Sequence, residues 1–343
     1  MIAPHTAAQT STFELVCPAG ALPALRAAVD NGADCVYIGF RDDTNARNFT
    51  GLNFDDASAR EGLRYAHSRK SKVLLAINTY PQAASWDRWT RTVDKAAEMG
   101  FDAIIIADPG LMGYAARRHP QLRLHLSVQS SATNYEAIGF YHQQFGIRRA
   151  VLPRVLALAQ VEQVVRNSPV EIEVFGFGSL CIMVEGRCAL SAYVTGDSPN
   201  TGGACSPGHA VRWVTTPQGL ESRLNGVLVD RFADGERAGY PVLCKGHYTA
   251  GGETYYAIEE PTSLNAMELL PQLIAMGVRA VKIEGRQRSP AYVAQVTRTW
   301  REAIDASQRR PGAFELRPEW TGALDRMSEG QHHTLGAYHR AWK

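Results

Sequence analysis

Four of the chain's six cysteines are spread over a Gly- and Pro-rich part of the sequence. Cys181 and Cys188 lie in GSLCIMVEGRC, Cys205 lies in GGACSPG, and Cys244 lies in VLCKGHY. Each has Gly or Pro within a few residues, and flexible backbone of this kind lets thiolates approach one centre without helix geometry. Because thiolates are soft ligands, the first chemistry that this pattern indicates is a metal or iron–sulfur site.

The spacing of these four cysteines leaves the kind of site open. Structural zinc usually brings a C-x₂₋₄-C knuckle, which this chain lacks, and scattered soft ligands suit an iron–sulfur cluster at least as well. Four unrelated buried cysteines are the alternative without chemistry. Cys17 and Cys35 differ from the other four, because they lie inside strand patterns, where a free cysteine acts as a small core residue.

Short apolar runs that are typical of parallel strands alternate with segments of helical periodicity. We predict strands at residues 13–17, 34–39, 72–78, 103–108, 123–128, 149–154, 171–178 and 280–285. Segments at 22–32, 85–100, 264–277 and 290–305 predict helices. These strand–helix units indicate an α/β fold, a TIM-like (β/α)₈ barrel. An open doubly wound sheet is the alternative, but no G-x-G-x-x-G motif follows the first strand.

One long interval interrupts this alternation. The stretch between the seventh strand and residue 264 far exceeds an ordinary loop, and it contains a predicted hairpin that turns at Gly251 and Gly252. We therefore predict a barrel at residues 13–178 and 264–306, with an insertion subdomain at 179–263, between strand 7 and helix 7, that carries the cysteines. Residues 1–12 are expected to be a disordered lead-in, and residues 307–343 a C-terminal segment.

The active sites of such barrels lie at the C-terminal ends of the strands. Polar residues at these ends, or in the loops after them, are Arg47, Asn78, Asp108, Gln129, Arg154, Glu284 and Arg286. Glu284 and Arg286 have the strongest case as catalytic residues. They end the eighth strand, and a guanidinium at a barrel mouth suits a bidentate grip on a carboxylate. A rim salt bridge between the two, which only stabilises the strand end, is the alternative.

The composition indicates where the protein acts and what it does not bind. With 36 Lys and Arg against 34 Asp and Glu, the net charge is +2 and no basic stripe is present, so we expect no stable nucleic-acid binding. No apolar run approaches the length of a transmembrane segment, and the N-terminus lacks the pattern of a signal peptide. We therefore expect a cytoplasmic protein whose thiols stay reduced.

Several blocks of the sequence are long and specific enough to indicate a protein family. EVFGFGSLCIMVEGRC lies at residues 173–188, KIEGRQRSPAY at 282–292, and CPAG and GADCVYIG near the N-terminus. Together they resemble the collagenase-like peptidase family, over roughly residues 13–343. Within it, FGSLCIMVEGRC, GDSPNT, PQGLESRLN, CKG and TLGAYHR are similar to the branch that acts in ubiquinone biosynthesis.

This resemblance implies a [4Fe–4S] cluster held by Cys181, Cys188, Cys205 and Cys244. It also implies a heterodimer with a homologous UbiV-type subunit, and oxygen-independent hydroxylation of the ubiquinone precursor ring. A prephenate-like small molecule is the expected oxygen donor. The isoprenoid tail of the ring would be held by the partner or by a lipid carrier, because the sequence shows no large apolar patch.

Peptidase activity is not expected in spite of the family name. The G-x-S-x-G and H-E-x-x-H motifs are absent, and a cysteine bound to iron is unavailable as a nucleophile. Many members of the family carry His where this chain has Phe177, and this departure weakens any chemistry assigned to that position. The remaining alternatives are a non-catalytic scaffold subunit that bears the cluster and an RNA hydroxylation factor.

Overall fold

The computed structural model describes residues 13–199, 204–236, 238–329 and 332–340; the predicted lead-in at 1–12 lies outside them. The strands are β1 (Glu14–Pro18), β2 (Cys35–Ile38), β3 (Lys72–Ile77), β4 (Ala103–Ile106), β5 (Leu124–Leu126), β6 (Arg149–Val151), β7 (Glu171–Ser179), β8 (Val211–Thr216), β9 (Gly219–Leu224), β10 (Val227–Phe232), β11 (His247–Ala250), β12 (Glu253–Tyr256), β13 (Ser263–Asn265), β14 (Ala280–Ile283) and β15 (His333–Thr334). The helices are α1 (Leu22–Asp30), α2 (Asp56–His67), α3 (Trp86–Met99), α4 (Pro109–Arg118), α5 (Tyr135–Phe145), α6 (Leu158–Asn167), α7 (Leu190–Thr195), α8 (Leu270–Ala275), α9 (Pro290–Arg309) and α10 (Pro318–Asp325). Within these ranges no helix is both long and apolar enough to cross a bilayer.

Eight parallel strands, β1 to β7 and β14, form a closed barrel. Strand β14 closes it by pairing with β1 on one side and with β7 on the other, so that Ala280 lies opposite both Glu14 and Glu173. Helices follow the strands and pack on the outside, where buried side chains such as Leu25, Val93 and Trp300 form the main apolar core. The predicted TIM-like (β/α)₈ barrel is confirmed.

The segment between β7 and β14 contains small elements outside the barrel. Strands β8, β9 and β10 form an antiparallel sheet, and β11 and β12 form the hairpin predicted to turn at Gly251 and Gly252. The C-terminal segment returns to the barrel, because β15 pairs with β13 and the Tyr338 hydroxyl donates to the Phe175 carbonyl oxygen at 2.8 Å. The proposed division of the chain into domains stays a prediction.

The helix predicted at residues 264–277 is partly wrong. Residues Ser263–Asn265 form β13, which runs antiparallel to the end of β7, with Leu264 opposite Gly178. Only Leu270–Ala275 forms an α-helix, and its Pro271 occupies the first turn, where a missing N–H costs nothing. The apolar spacing of LNAMELL fits one helical face, but hydrogen bonds to β7 decide the conformation of its first residues.

The interior of the barrel contains charged side chains that neutralise one another. The Arg149 guanidinium donates to carboxylate oxygens of Glu14 at 2.6 Å, Glu171 at 2.8 Å and Glu173 at 3.3 Å. The Lys282 ammonium donates to the other oxygen of Glu173 at 2.8 Å. Burial alone would raise the pKa of Glu14, but attraction and hydrogen bonds from Arg149 and Lys72 lower it to about 2. Ionised pairs therefore lie inside the barrel beside buried apolar residues such as Val16, Leu74 and Ile105.

We expect Arg149→Met to lower the free energy of unfolding by about 3–5 kcal/mol, because it leaves buried carboxylates without a counter-charge. Urea denaturation at neutral pH would measure the change. Arg148→Met is the matched control, since Arg148 is the exposed neighbour, and its effect should stay within about 0.5 kcal/mol. Equal losses in the two variants would contradict this account of the barrel interior.

Candidate functional site

A cavity of about 170 Å³ lies at the C-terminal ends of the barrel strands. Its wall contains residues from the ends of β2, β3, β5, β6, β7 and β14, or from the loops that follow them. Among them are Tyr37, Asn78, Gln129, Arg154, Ser179, Lys282, Glu284 and Arg286. The wall is completed by the segment that follows β7, so the cavity has a barrel side and a cysteine side.

All four cysteines of the Gly- and Pro-rich region line this cavity. Cys181 and Cys188 follow β7, Cys205 precedes β8, and Cys244 lies in the 3₁₀ turn Leu243–Lys245. Neither these four nor the remaining cysteines, Cys17 and Cys35, form a disulfide, and the latter two are buried inside β1 and β2. The fold therefore brings together four thiols that are far apart in sequence.

Burial disfavours the thiolate form of three of these cysteines. Burial raises the pKa of Cys181 to about 12 and that of Cys244 to about 11, and it also raises the pKa of Cys205. Within the described ranges no three His, Cys, Asp or Glu side chains are arranged closely enough to hold a metal ion. The sulfurs thus share a cavity without a preformed coordination shell. A soft cation that displaces the protons would suit this set of donors.

Arg154 forms an ion pair and a hydrogen bond with residues of the segment that carries the cysteines and with the end of β7. Its Nε donates to Glu185 Oε1 at 2.7 Å, its Nη1 donates to the Ser179 carbonyl oxygen, and its guanidinium lies 4.3 Å from the centroid of the Phe175 ring. Glu185 belongs to the loop between Cys181 and Cys188. Arg154 therefore connects this loop to the barrel, a role that stabilises the site without requiring contact with a substrate.

Arg286 is buried at the barrel side of the cavity, with 5% of its surface exposed. Its Nη1 donates to Asn45 Oδ1 at 2.7 Å, and its guanidinium lies 5.7 Å from the centroid of the Tyr37 ring. Burial lowers the pKa of Arg286 to about 10, which still leaves it charged at neutral pH. No ion pair joins it to Glu284, so the rim salt bridge considered as an alternative is not formed. A buried guanidinium that, among the described residues, donates to a neutral amide and forms no ion pair favours an anionic ligand.

The other residues nominated from strand ends have different positions. Glu284 Oε2 accepts the backbone N–H of Ser179 at 3.3 Å, and Asn78 Oδ1 accepts that of Ala46 at 3.0 Å. Arg47 and Gln129 also line the cavity, whereas Asp108 accepts the backbone N–H of Leu111 at 2.8 Å and caps helix α4. Asp108 is not among the residues described as lining the cavity, because its cap places it at the start of the helix.

Sequence reasoning missed several residues that line the cavity or support its wall. Asn45 holds Arg286 from the loop after β2, and Gly39 is required beside both, since a Cβ there would lie 2.4 Å from Asn45 and 2.6 Å from the Arg286 guanidinium. Lys282 alternates inward within β14, a signal that strand periodicity could have given. Lys245 follows Cys244 directly, but nothing in the local sequence indicates that it is buried.

Comparison with known proteins places these residues in context. Residues 20–341 of the chain match Peptidase family U32. The chain is similar to tRNA hydroxylation protein P of Escherichia coli (strain K12), 32% identical over 85% of this chain and 68% of that protein. It is also similar to tRNA hydroxylation protein P1 of Bacillus subtilis (strain 168), with 32% identity over 93% of this chain and 69% of that protein. A collagenase of Porphyromonas gingivalis is 30% identical over 86% of this chain and 66% of that protein.

If the four cysteines hold the cluster that the family resemblance implies, Cys205→Ala should lose most of the iron and acid-labile sulfide that the wild-type protein takes up on anaerobic reconstitution. The reason is that a missing thiolate leaves one iron of a four-cysteine cluster without its ligand. Metal analysis and visible absorption would measure the loss. Cys17→Ala is the control, since that thiol is buried in β1 away from the cavity, and full iron retention in Cys205→Ala would refute its assignment as a ligand.

Proposed function

The chain belongs to peptidase family U32, the collagenase-like peptidases, and from this membership we propose that it is the iron–sulfur component of an oxygen-independent hydroxylase. The observation that carries the proposal is the shared cavity, which four thiols line from one side and Arg286 from the other. Hydroxylation is the activity named for the Escherichia coli and Bacillus subtilis relatives, and this supports a hydroxylase role here.

Cys181, Cys188, Cys205 and Cys244 would hold a [4Fe–4S] cluster. Four thiols and no other soft donor are what such a cluster requires, and the cations Arg47, Arg154 and Lys245 attract negative charge at Cys205. When bound, the cluster would supply or accept single electrons. The chain's own contribution is to exclude water from the thiols, which are at most partly exposed, and to stabilise the loop of Cys181 and Cys188 through Arg154 and Glu185.

The barrel side of the cavity would bind the oxygen donor. Arg286, held by Asn45, presents a buried positive charge without a carboxylate partner, which suits a carboxylate-bearing small molecule such as prephenate. Glu284 lines the same wall. Its carboxylate accepts a hydrogen bond from the Ser179 N–H, which holds it beside the end of β7. In this proposal Arg286 binds the donor and Glu284 is the candidate group for proton transfer.

The ubiquinone precursor ring is the substrate that we propose. It rests on the blocks GDSPNT, PQGLESRLN, CKG and TLGAYHR, which resemble the ubiquinone branch of the family. The protein would act in the cytoplasm in a two-subunit complex of the UbiU–UbiV type. The homologous subunit, or a lipid carrier of ubiquinone intermediates, would hold the isoprenoid tail. A scaffold role without chemistry is the alternative for this subunit, and hydroxylase assays of the partner alone would distinguish the two.

RNA hydroxylation is a second candidate, because the two bacterial relatives are named for tRNA. The near-neutral net charge of +2 speaks against stable binding of RNA by this chain alone. Peptidase activity is less favoured, although one relative is named a collagenase. A cysteine nucleophile requires a nearby histidine base, and no histidine is among the described residues that line the cavity.

We expect Arg286→Met to weaken prephenate binding about tenfold or more, the effect of removing a charge-assisted hydrogen bond from a buried site. Calorimetric titration of the reconstituted protein would measure the affinity. Arg288→Met is the control, since Arg288 pairs with Glu329 and is not among the described cavity residues. Unchanged affinity in Arg286→Met would refute the assignment of the donor site.

Deletion of the gene should abolish ubiquinone formation under anaerobic growth and leave aerobic formation intact. Quinone extracts and hydroxylated tRNA nucleosides from the same cultures would be quantified together by mass spectrometry. Loss of the quinone alone supports the proposed substrate. Loss of the modified nucleoside with normal quinone would establish the RNA function instead.

A further inference from the structure

Lys245 is a buried ammonium on the cysteine side of the cavity. It ends the 3₁₀ turn Leu243–Lys245, follows Cys244 directly, and has 6% of its surface exposed. It lines the same cavity as the four thiols. Burying a charged ammonium costs several kcal/mol unless an opposite charge or hydrogen bonds compensate it, so its surroundings show what the position is built to accommodate.

The protein gives this ammonium only neutral partners. Its Nζ donates to Ser179 Oγ at 3.4 Å and to the Thr262 carbonyl oxygen at 3.3 Å, both long hydrogen bonds, and within the described ranges it forms no ion pair with a carboxylate. Two other buried cations of the cavity differ, because Lys282 has Glu173 at 2.8 Å and Arg154 has Glu185 at 2.7 Å. The positive charge of Lys245 is therefore not neutralised by a side chain.

Lys245 shares its cavity with the four cysteine sulfurs and directly follows Cys244 in the chain. Thiolate ligands in this cavity would be stabilised by an ammonium that is buried beside them. A [4Fe–4S] cluster with four thiolate ligands is itself an anion, and its negative charge increases when it accepts an electron.

We propose that Lys245 is a positioning residue that compensates the charge of a cluster bound by the four cysteines and raises its reduction potential. The inference rests on the proposed function, since it requires the cluster. The physical reason is that a cation in a water-poor cavity stabilises the reduced, more negative state more than the oxidised state. Ser179 and Thr262 hold the ammonium at the cavity wall without neutralising it.

The test compares Lys245→Met and Lys245→Arg with the wild-type protein after anaerobic reconstitution. Iron and sulfide content would be measured first, and the midpoint potential next, by redox titration followed with electron paramagnetic resonance. We expect Lys245→Met to shift the midpoint potential to more negative values, and Lys245→Arg, which keeps the charge, to stay close to the wild type. Lys95→Met is the control, because it removes the same charge at the protein surface, where Lys95 pairs with Asp56.

The outcomes separate this inference from the function on which it rests. A fully loaded Lys245→Met with an unchanged potential would overturn the role of Lys245 and leave the cluster site intact. Loss of iron in Lys245→Met but not in Lys245→Arg would support charge compensation, whereas equal loss in both would overturn it. If Lys245→Met does not fold, Lys245→Gln gives a neutral side chain that can still donate to Ser179. A wild-type protein that takes up no cluster would overturn the proposed function itself.

Discussion

The site depends on hydrogen-bonded pairing along strand β7. This strand pairs with β6 and β14 inside the barrel, and its last residues, Phe177 to Ser179, also pair with β13. Ser179 is thereby fixed where three charged groups meet it: its N–H donates to Glu284, its carbonyl accepts from Arg154, and its hydroxyl accepts from Lys245. Cys181 follows two residues later, so the end of β7 determines where the first thiol lies.

The distribution of charge distinguishes the interior of the barrel from its mouth. Inside the barrel, Arg149 and Lys282 pair with glutamates, and each counter-charge offsets part of the cost of burying the cation. At the mouth, Arg286 and Lys245 are buried, and in the part of the chain that the structure describes neither forms an ion pair with a carboxylate. Two such cations in the wall of one cavity suit anionic ligands.

Much of the fold could be predicted because its signals are local. The eight apolar runs match the barrel strands within a few residues at each end, and the Gly251–Gly252 turn lies in the predicted hairpin. The prediction failed at residues 264–277, because β13 is stabilised by pairing with β7, which lies far away in the chain. At the site, Arg286 and Glu284 could be nominated from their strand, but the cap formed by Asp108 could not be told apart from a catalytic position.

By itself, the sequence determined the alternation that builds the barrel and the presence of four thiols in flexible, Gly- and Pro-rich backbone. These are properties of neighbouring residues, and periodicity and composition record them directly. Only the tertiary structure decided that the thiols share one cavity, that Asn45 holds Arg286, and that Lys245 is buried with no ion pair to any described carboxylate. The reason is that burial and pairing of charges arise from contacts between distant segments, and no local pattern records them.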